Sequence, residues 1–146
     1  MKSIYLVRSP LLKRKKRFGL FKEKVRTIGP IKFKLEENNA SSSDIIIVST
    51  SFSRHKKTVA SILEKLPFKN RPEIVIDSNL QDKDLKGTLN YISELDNNFK
   101  TAILIVPKEI RVKLLAYFIL SKEDISTGTF KRIGLEMTSW KEILPQ

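Results

Sequence analysis

The sequence predicts an α/β protein, a three-layer sandwich around a mostly parallel central sheet. Two observations carry that expectation. Four short runs are apolar without polar alternation, as strands buried on both faces are. Between them lie segments with apolar residues at three- and four-residue spacing, the pattern of helices with one buried face. Strands and helices in alternation imply right-handed crossovers and helices covering both faces of the sheet.

The elements follow in order. "IYLV" (4–7) reads as the first strand and runs into Arg8-Ser9-Pro10. A polar loop, Asn38–Ser43, leads into "DIIIVS" (44–49), the second strand. "SRHKKTVASILEKL" (53–66) places Val59, Ile62, Leu63 and Leu66 on one helical face, with Ser53 expected as the N-cap. "EIVID" (73–77) is the third strand. "DKDLKGTLNYISELDNN" (82–98) turns Leu85, Leu89, Ile92 and Leu95 inward, with Asp82 and Asp84 expected to cap the helix and balance its dipole. "AILIVP" (102–107) is the fourth strand, closed by proline. "PKEIRVKLLAYFIL" (107–120) has Pro107 at its entry, Glu109 in its first turn and Ile110, Leu114, Leu115 and Phe118 inward. "TFKRIGLEMTSW" (129–140) is expected to form a last strand pair with a turn near Arg132–Gly134.

Composition bounds the function classes. The length of 146 residues suits a single domain, 1–146. There is no cysteine, so no disulfide, thiolate metal site or cysteine nucleophile is available. The first apolar run is too short for a signal peptide and its charge follows it, and no stretch approaches a membrane span. A cytoplasmic protein without membrane association is the expectation. The 28 Lys and Arg against 16 Asp and Glu give a net charge of +12. Residues 11–34 contribute much of it, with ten basic side chains and one acid, Glu23. Lys13, Arg14, Lys15, Lys16 and Arg17 form the densest part, interleaved further on with Phe18, Phe21 and Phe33. Such a segment attracts polyanions, and its aromatic residues could stack on unpaired bases. A solvated basic loop is the plainer alternative.

In parallel sheets, functional groups collect beyond the carboxyl ends of the strands. Arg8 and Ser9 follow the first strand; Ser53 and Arg54 follow the second after a short loop. Two arginines at one crevice make a multi-donor cradle for an oxyanion, and a helix N-terminus adds free N–H groups. The competing possibility is that each arginine pairs with a carboxylate.

"IYLVR", "VSTSFSRHKKTVASIL" and "AILIVP" together resemble the histidine phosphatase (phosphoglycerate-mutase-like) superfamily, in particular its small phosphohistidine phosphatases. The resemblance spans essentially the whole chain. "SFSRHKKTVA" is its most specific part, with Arg54 and Thr58 at the family motif's arginine and threonine. It implies a histidine-phosphatase-like sandwich, a phosphate pocket lined by Arg8 and Arg54, and no metal or cofactor. In the family the first strand ends in a nucleophilic histidine, and a second histidine follows the late strand. Here Ser9 and Pro107 stand at those positions, and Pro10 replaces a glycine. Proline has neither N–H nor side-chain donor.

Ser9 as a substitute nucleophile would need a base. The one histidine, His55, neighbours Arg54 on a helix, about 100° away round the axis, and is expected on an exposed or half-buried face. The resemblance therefore implies a degenerate pseudo-phosphatase, without catalytic residues, that binds a phosphorylated small molecule or phosphoprotein through Arg8, Arg54, Ser9 and Ser53. One alternative is a nucleic-acid or ribonucleoprotein-associated protein using residues 11–34. Another is a phosphatase acting by a non-histidine route.

Overall fold

A computed structural model of the chain describes residues 1–9, 35, 41–66, 68 and 70–145. The basic segment with Lys13, Arg14, Lys15, Lys16 and Arg17 lies outside the described residues, as do Phe18, Phe21 and Phe33. Five strands form one sheet: β1 (Lys2–Val7), β2 (Ile45–Ser49), β3 (Glu73–Ile76), β4 (Thr101–Ile105) and β5 (Phe130–Leu135). Their order is β3-β2-β4-β1-β5. The first four are parallel, and β5 runs antiparallel to β1 at the edge.

Among the described residues, three complete helices cover the sheet: α1 (Ser53–Lys65), α2 (Leu85–Ser93) and α3 (Lys108–Ile119). Strand parity decides which face each residue serves. Tyr5, Val7, Ile45, Ile47, Ile103 and Ile105 pack with Val59 and Ile62 of α1. Ile4, Leu6, Ile46, Val48, Ala102 and Leu104 pack with Leu89 and Ile92 of α2 and Ile110 and Leu114 of α3. Both faces of the central strands are therefore apolar, which is why those runs show no alternation.

Three expectations need correction. The last segment is not a strand pair: Phe130–Leu135 runs straight through Arg132–Gly134, paired along its length with β1. Past it, Ser139 caps a short turn, Trp140–Ile143, that plugs the core with Trp140. The second helix is shorter than its periodic pattern. Asp84 caps it, accepting from the Gly87 N–H at 2.7 Å, whereas Asp82 only ends the preceding short turn. In α1 the N-cap is Phe52, not Ser53, and no side chain caps that helix.

The amino ends of the strands are sealed. Lys2 is buried, and its ammonium donates to the Asn97 and Phe99 carbonyls, both at 2.6 Å. It also lies 5.2 Å from the centre of the Trp140 ring, a cation–π contact. The Trp140 indole N–H donates to Phe99 as well, and its backbone N–H to the Asn97 side chain.

Candidate anion-binding site

At the carboxyl ends the strands present Arg8, Thr50 and Val106 side by side. Leu6 pairs with Leu104, and Ser49 with Ile105, so Arg8, Val106 and Thr50 are level one step further on. Two strand spacings separate Arg8 from Thr50, roughly 10 Å between backbones. The helices after β2 and β4 leave on opposite faces, which opens a crevice above β4.

Arg8 and Ser9 go to different sides of it. Arg8 continues the parity of Leu6, towards the α3 face. Its Nη1 donates to the Ile125 carbonyl at 2.8 Å and lies 3.4 Å from Asp124 Oδ2. Asp124 is in turn held bidentately by Arg111, with Nε to Oδ1 at 2.8 Å and Nη2 to Oδ2 at 2.6 Å. Those bonds are the main reason the Asp124 carboxyl titrates below the usual range; the Ile125 N–H and the charges of Arg111 and Arg8 add to them, and burial opposes them. Nε and Nη2 of Arg8 have no partner among the described residues. One edge of the guanidinium is anchored and the other is spare, and the side chain keeps 28% of its exposure.

Ser9 continues the parity of Val7, towards α1, and is buried. Its hydroxyl is hydrogen-bonded to Thr58 Oγ1 at 2.8 Å, which also reaches the Arg54 carbonyl at 3.0 Å. Ser9 thus has a hydroxyl for a partner rather than a base. Ser53 and Arg54 are exposed, and the Arg54 guanidinium makes no hydrogen bond or ion pair among the described residues. It stands in the first turn of a helix that has no side-chain cap and no acid there. A cation is unfavourable beside the positive end of a helix dipole.

His55 departs from the expectation. It is buried, at 2% exposure, instead of lying on an outer face. Its Nδ1 is hydrogen-bonded to Thr50 Oγ1, and its ring meets Phe52 edge-on at 5.5 Å. Burial, with the charges of Arg54 and Arg111, lowers its pKa to about 4, so the ring is neutral at pH 7. Its position had a signal in the sequence: 55, 59 and 62 follow the apolar stripe of α1, and Arg54 does not. Arg111 likewise sits on the buried stripe of α3, one turn before Leu114 and Leu115. Asp124, in the loop before β5, had no such signal.

The structure therefore joins Ser9, Thr58 and the Arg54 backbone on one side, and Arg8, Asp124 and Arg111 on the other. Pro107 is the N-cap of α3 and brings no polar side chain. Among the described residues no three His, Asp or Glu side chains gather as a metal ion would require.

No protein-family model matches the sequence, and no curated protein sequence matches it. Solved structures do match. A protein assigned as phosphohistidine phosphatase SixA, from Nakamurella multipartitia, superposes with a TM-score of 0.63 over 97% of this chain and 88% of its own, with 13% identity. The protein histidine phosphatase SixA complexed with tungstate gives 0.62 over 97% and 99%, with 11% identity. The fold is that of the histidine phosphatases. A phosphoglycerate mutase from Plasmodium falciparum extends the likeness, at 0.55 over 82% of this chain and 70% of its own, with 19% identity. No helix among the described residues of this histidine-phosphatase-like chain is long and apolar enough to cross a membrane.

Proposed function

We propose that the protein is a catalytically degenerate member of this fold that binds a phosphorylated or anionic ligand through Arg8 and Arg54. A phosphorylated small molecule and a phosphoprotein both present the required group. The observation that carries the proposal is Arg54: an exposed guanidinium without a carboxylate partner among the described residues, in the first turn of an uncapped helix. Self-repulsion of that kind costs stability unless an anion relieves it. Arg8 supports it with a guanidinium anchored on one edge and spare on the other. Exposed Ser53 adds a hydroxyl and a backbone N–H at the same helix end. Buried Ser9 lines the crevice through its contact with Thr58. A protein of the same fold is known in complex with tungstate, a tetrahedral oxyanion like phosphate.

Degeneracy rests on the nucleophile. The chain has one histidine, on α1, while Ser9 and Pro107 follow β1 and β4. Ser9 bonds to Thr58, which is too weak a base to activate a hydroxyl. Phosphohistidine and phosphomonoester substrates should give rates equal to buffer. A covalent phosphoprotein that disappears in Ser9→Ala would refute this part.

Crystals soaked in phosphate or sulfate test the binding part. Density held between Arg8 and the amino end of α1 is the expected result. Density only along residues 13–26 would move the function to the basic segment and its polyanion partners.

A further inference from the structure

We propose that His55 is a third donor to the bound oxyanion, presenting Nε2–H from the first turn of α1. The inference rests on the anion-binding function just given and adds a residue to it. It follows from hydrogen-bond economy. Thr50 is fully buried, and its Oγ1 accepts the Phe52 N–H at 3.3 Å. Among the described residues its own hydrogen then has one partner, Nδ1 of His55. If Nδ1 carried the proton instead, the Thr50 hydroxyl hydrogen would be buried without an acceptor, which is costly. The economical tautomer has its proton on Nε2. That N–H has no acceptor among the described residues; the residue is only 2% exposed, yet Nε2 is not one of the fully buried unpartnered atoms, so the ring meets solvent at this edge.

A ring held inside the fold at one nitrogen and open at the other offers that N–H to a ligand oxygen in place of water. The surroundings suit an anion. The free N–H groups of the uncapped α1 start at the adjacent residues. Burial, with the charges of Arg54 and Arg111 added to it, keeps the ring neutral. Thr58, one turn along the same face, reaches Ser9. Thr50, which fixes the ring, stands level with Arg8 across β4. A neutral imidazole N–H can only donate, so this position selects an ionised oxygen over a P–OH group. The ligand class it favours is a phosphomonoester, whose unprotonated oxygens accept that N–H.

Because His55 is the only histidine, its ring nitrogens can be observed without assignment ambiguity. The experiment is long-range proton–nitrogen NMR on the full ¹⁵N-labelled protein at pH 7, titrated with inorganic phosphate at constant ionic strength. Thermal stabilisation is recorded on the same samples. The expected result is a proton on Nε2 before phosphate is added, and a saturable shift of Nε2 with the midpoint of the thermal effect. His55→Leu should weaken phosphate binding about fivefold or more, and His55→Gln, which keeps an N–H donor, should weaken it less. Two results overturn the inference alone: a proton on Nδ1, or phosphate stabilisation with the imidazole signals unmoved. Absence of any phosphate stabilisation overturns the anion site, and this inference with it. The NMR readings on the parent protein decide the matter even if His55→Leu fails to fold.

Discussion

The two ends of the sheet handle basic side chains in opposite ways. At the amino ends, Lys2 is saturated by the Asn97 and Phe99 carbonyls and by the indole ring of buried Trp140. At the carboxyl ends, Arg8 is half satisfied, Arg54 has no partner among the described residues, and His55 has one nitrogen paired and one not. The first arrangement is what stability alone selects. The second leaves donors unused, which stability alone does not reward. The contrast divides fold-keeping basic side chains from ligand-seeking ones within one sheet.

The largest expected effect is at the boundary between these classes. Asp124 holds nearly buried Arg111 and steadies Arg8. Asp124→Ala leaves the Arg111 charge without its carboxylate and should destabilise the protein by about 3–5 kcal/mol in chemical denaturation. A loss under about 1 kcal/mol would place Asp124 with the surface ion pairs instead. Next comes Lys2→Met, which strips the Asn97 carbonyl of its donor while keeping an apolar stem. The expected cost is about 1–3 kcal/mol, with no change in phosphate response. A weakened phosphate response would break the division between the two ends.

Acid should act on the carboxyl ends through His55. The unfolded chain takes up a proton near pH 6.5, whereas the folded ring resists until about pH 4. The unfolded state therefore binds more protons in that window, and stability falls as pH drops from about 6.5 to about 4, by at most about 1.4 kcal/mol per pH unit. His55→Gln should flatten this part of the curve. The contribution of Asp124 has the usual carboxylate sign: it is fully present above the unfolded value near 3.8 and lost as pH falls through the lowered folded value.

Much of this architecture was legible because it depends on local pattern. The apolar runs gave the four parallel strands, and helical spacing located the three helices complete among the described residues. Parity and register then carried Arg8 and Thr50 to the same level. The failures share a cause. Ser53 looked like a cap because serine usually is one, but Phe52 takes that place and leaves the helix end open. His55 was placed outward because its neighbour Arg54 was assumed to face the pocket, although the apolar stripe through Val59 and Ile62 points the other way. The Arg111–Asp124 pair joins a helix to a distant loop, and no periodicity foretells a contact across 13 residues of chain. Gly134 suggested a turn, yet it sits in an edge strand whose pairing with β1 decides its conformation.

The smallest effect on stability falls on the most informative residue. Arg54→Ala, at an exposed position, should change stability by no more than about 0.5 kcal/mol, or raise it slightly by easing the helix dipole. The decisive measurement is thermal unfolding of the parent and of Arg54→Ala over a phosphate series, with chloride matched for ionic strength. For a site of millimolar affinity, on the order of −4 kcal/mol, 100 mM phosphate should stabilise the parent by about 2.7 kcal/mol, a shift of several degrees. Arg54→Ala should start from nearly the same midpoint and lose most of that shift. If phosphate raises the midpoint of both proteins equally, Arg54 is a bystander, and the carboxyl ends of the sheet are not the anion site.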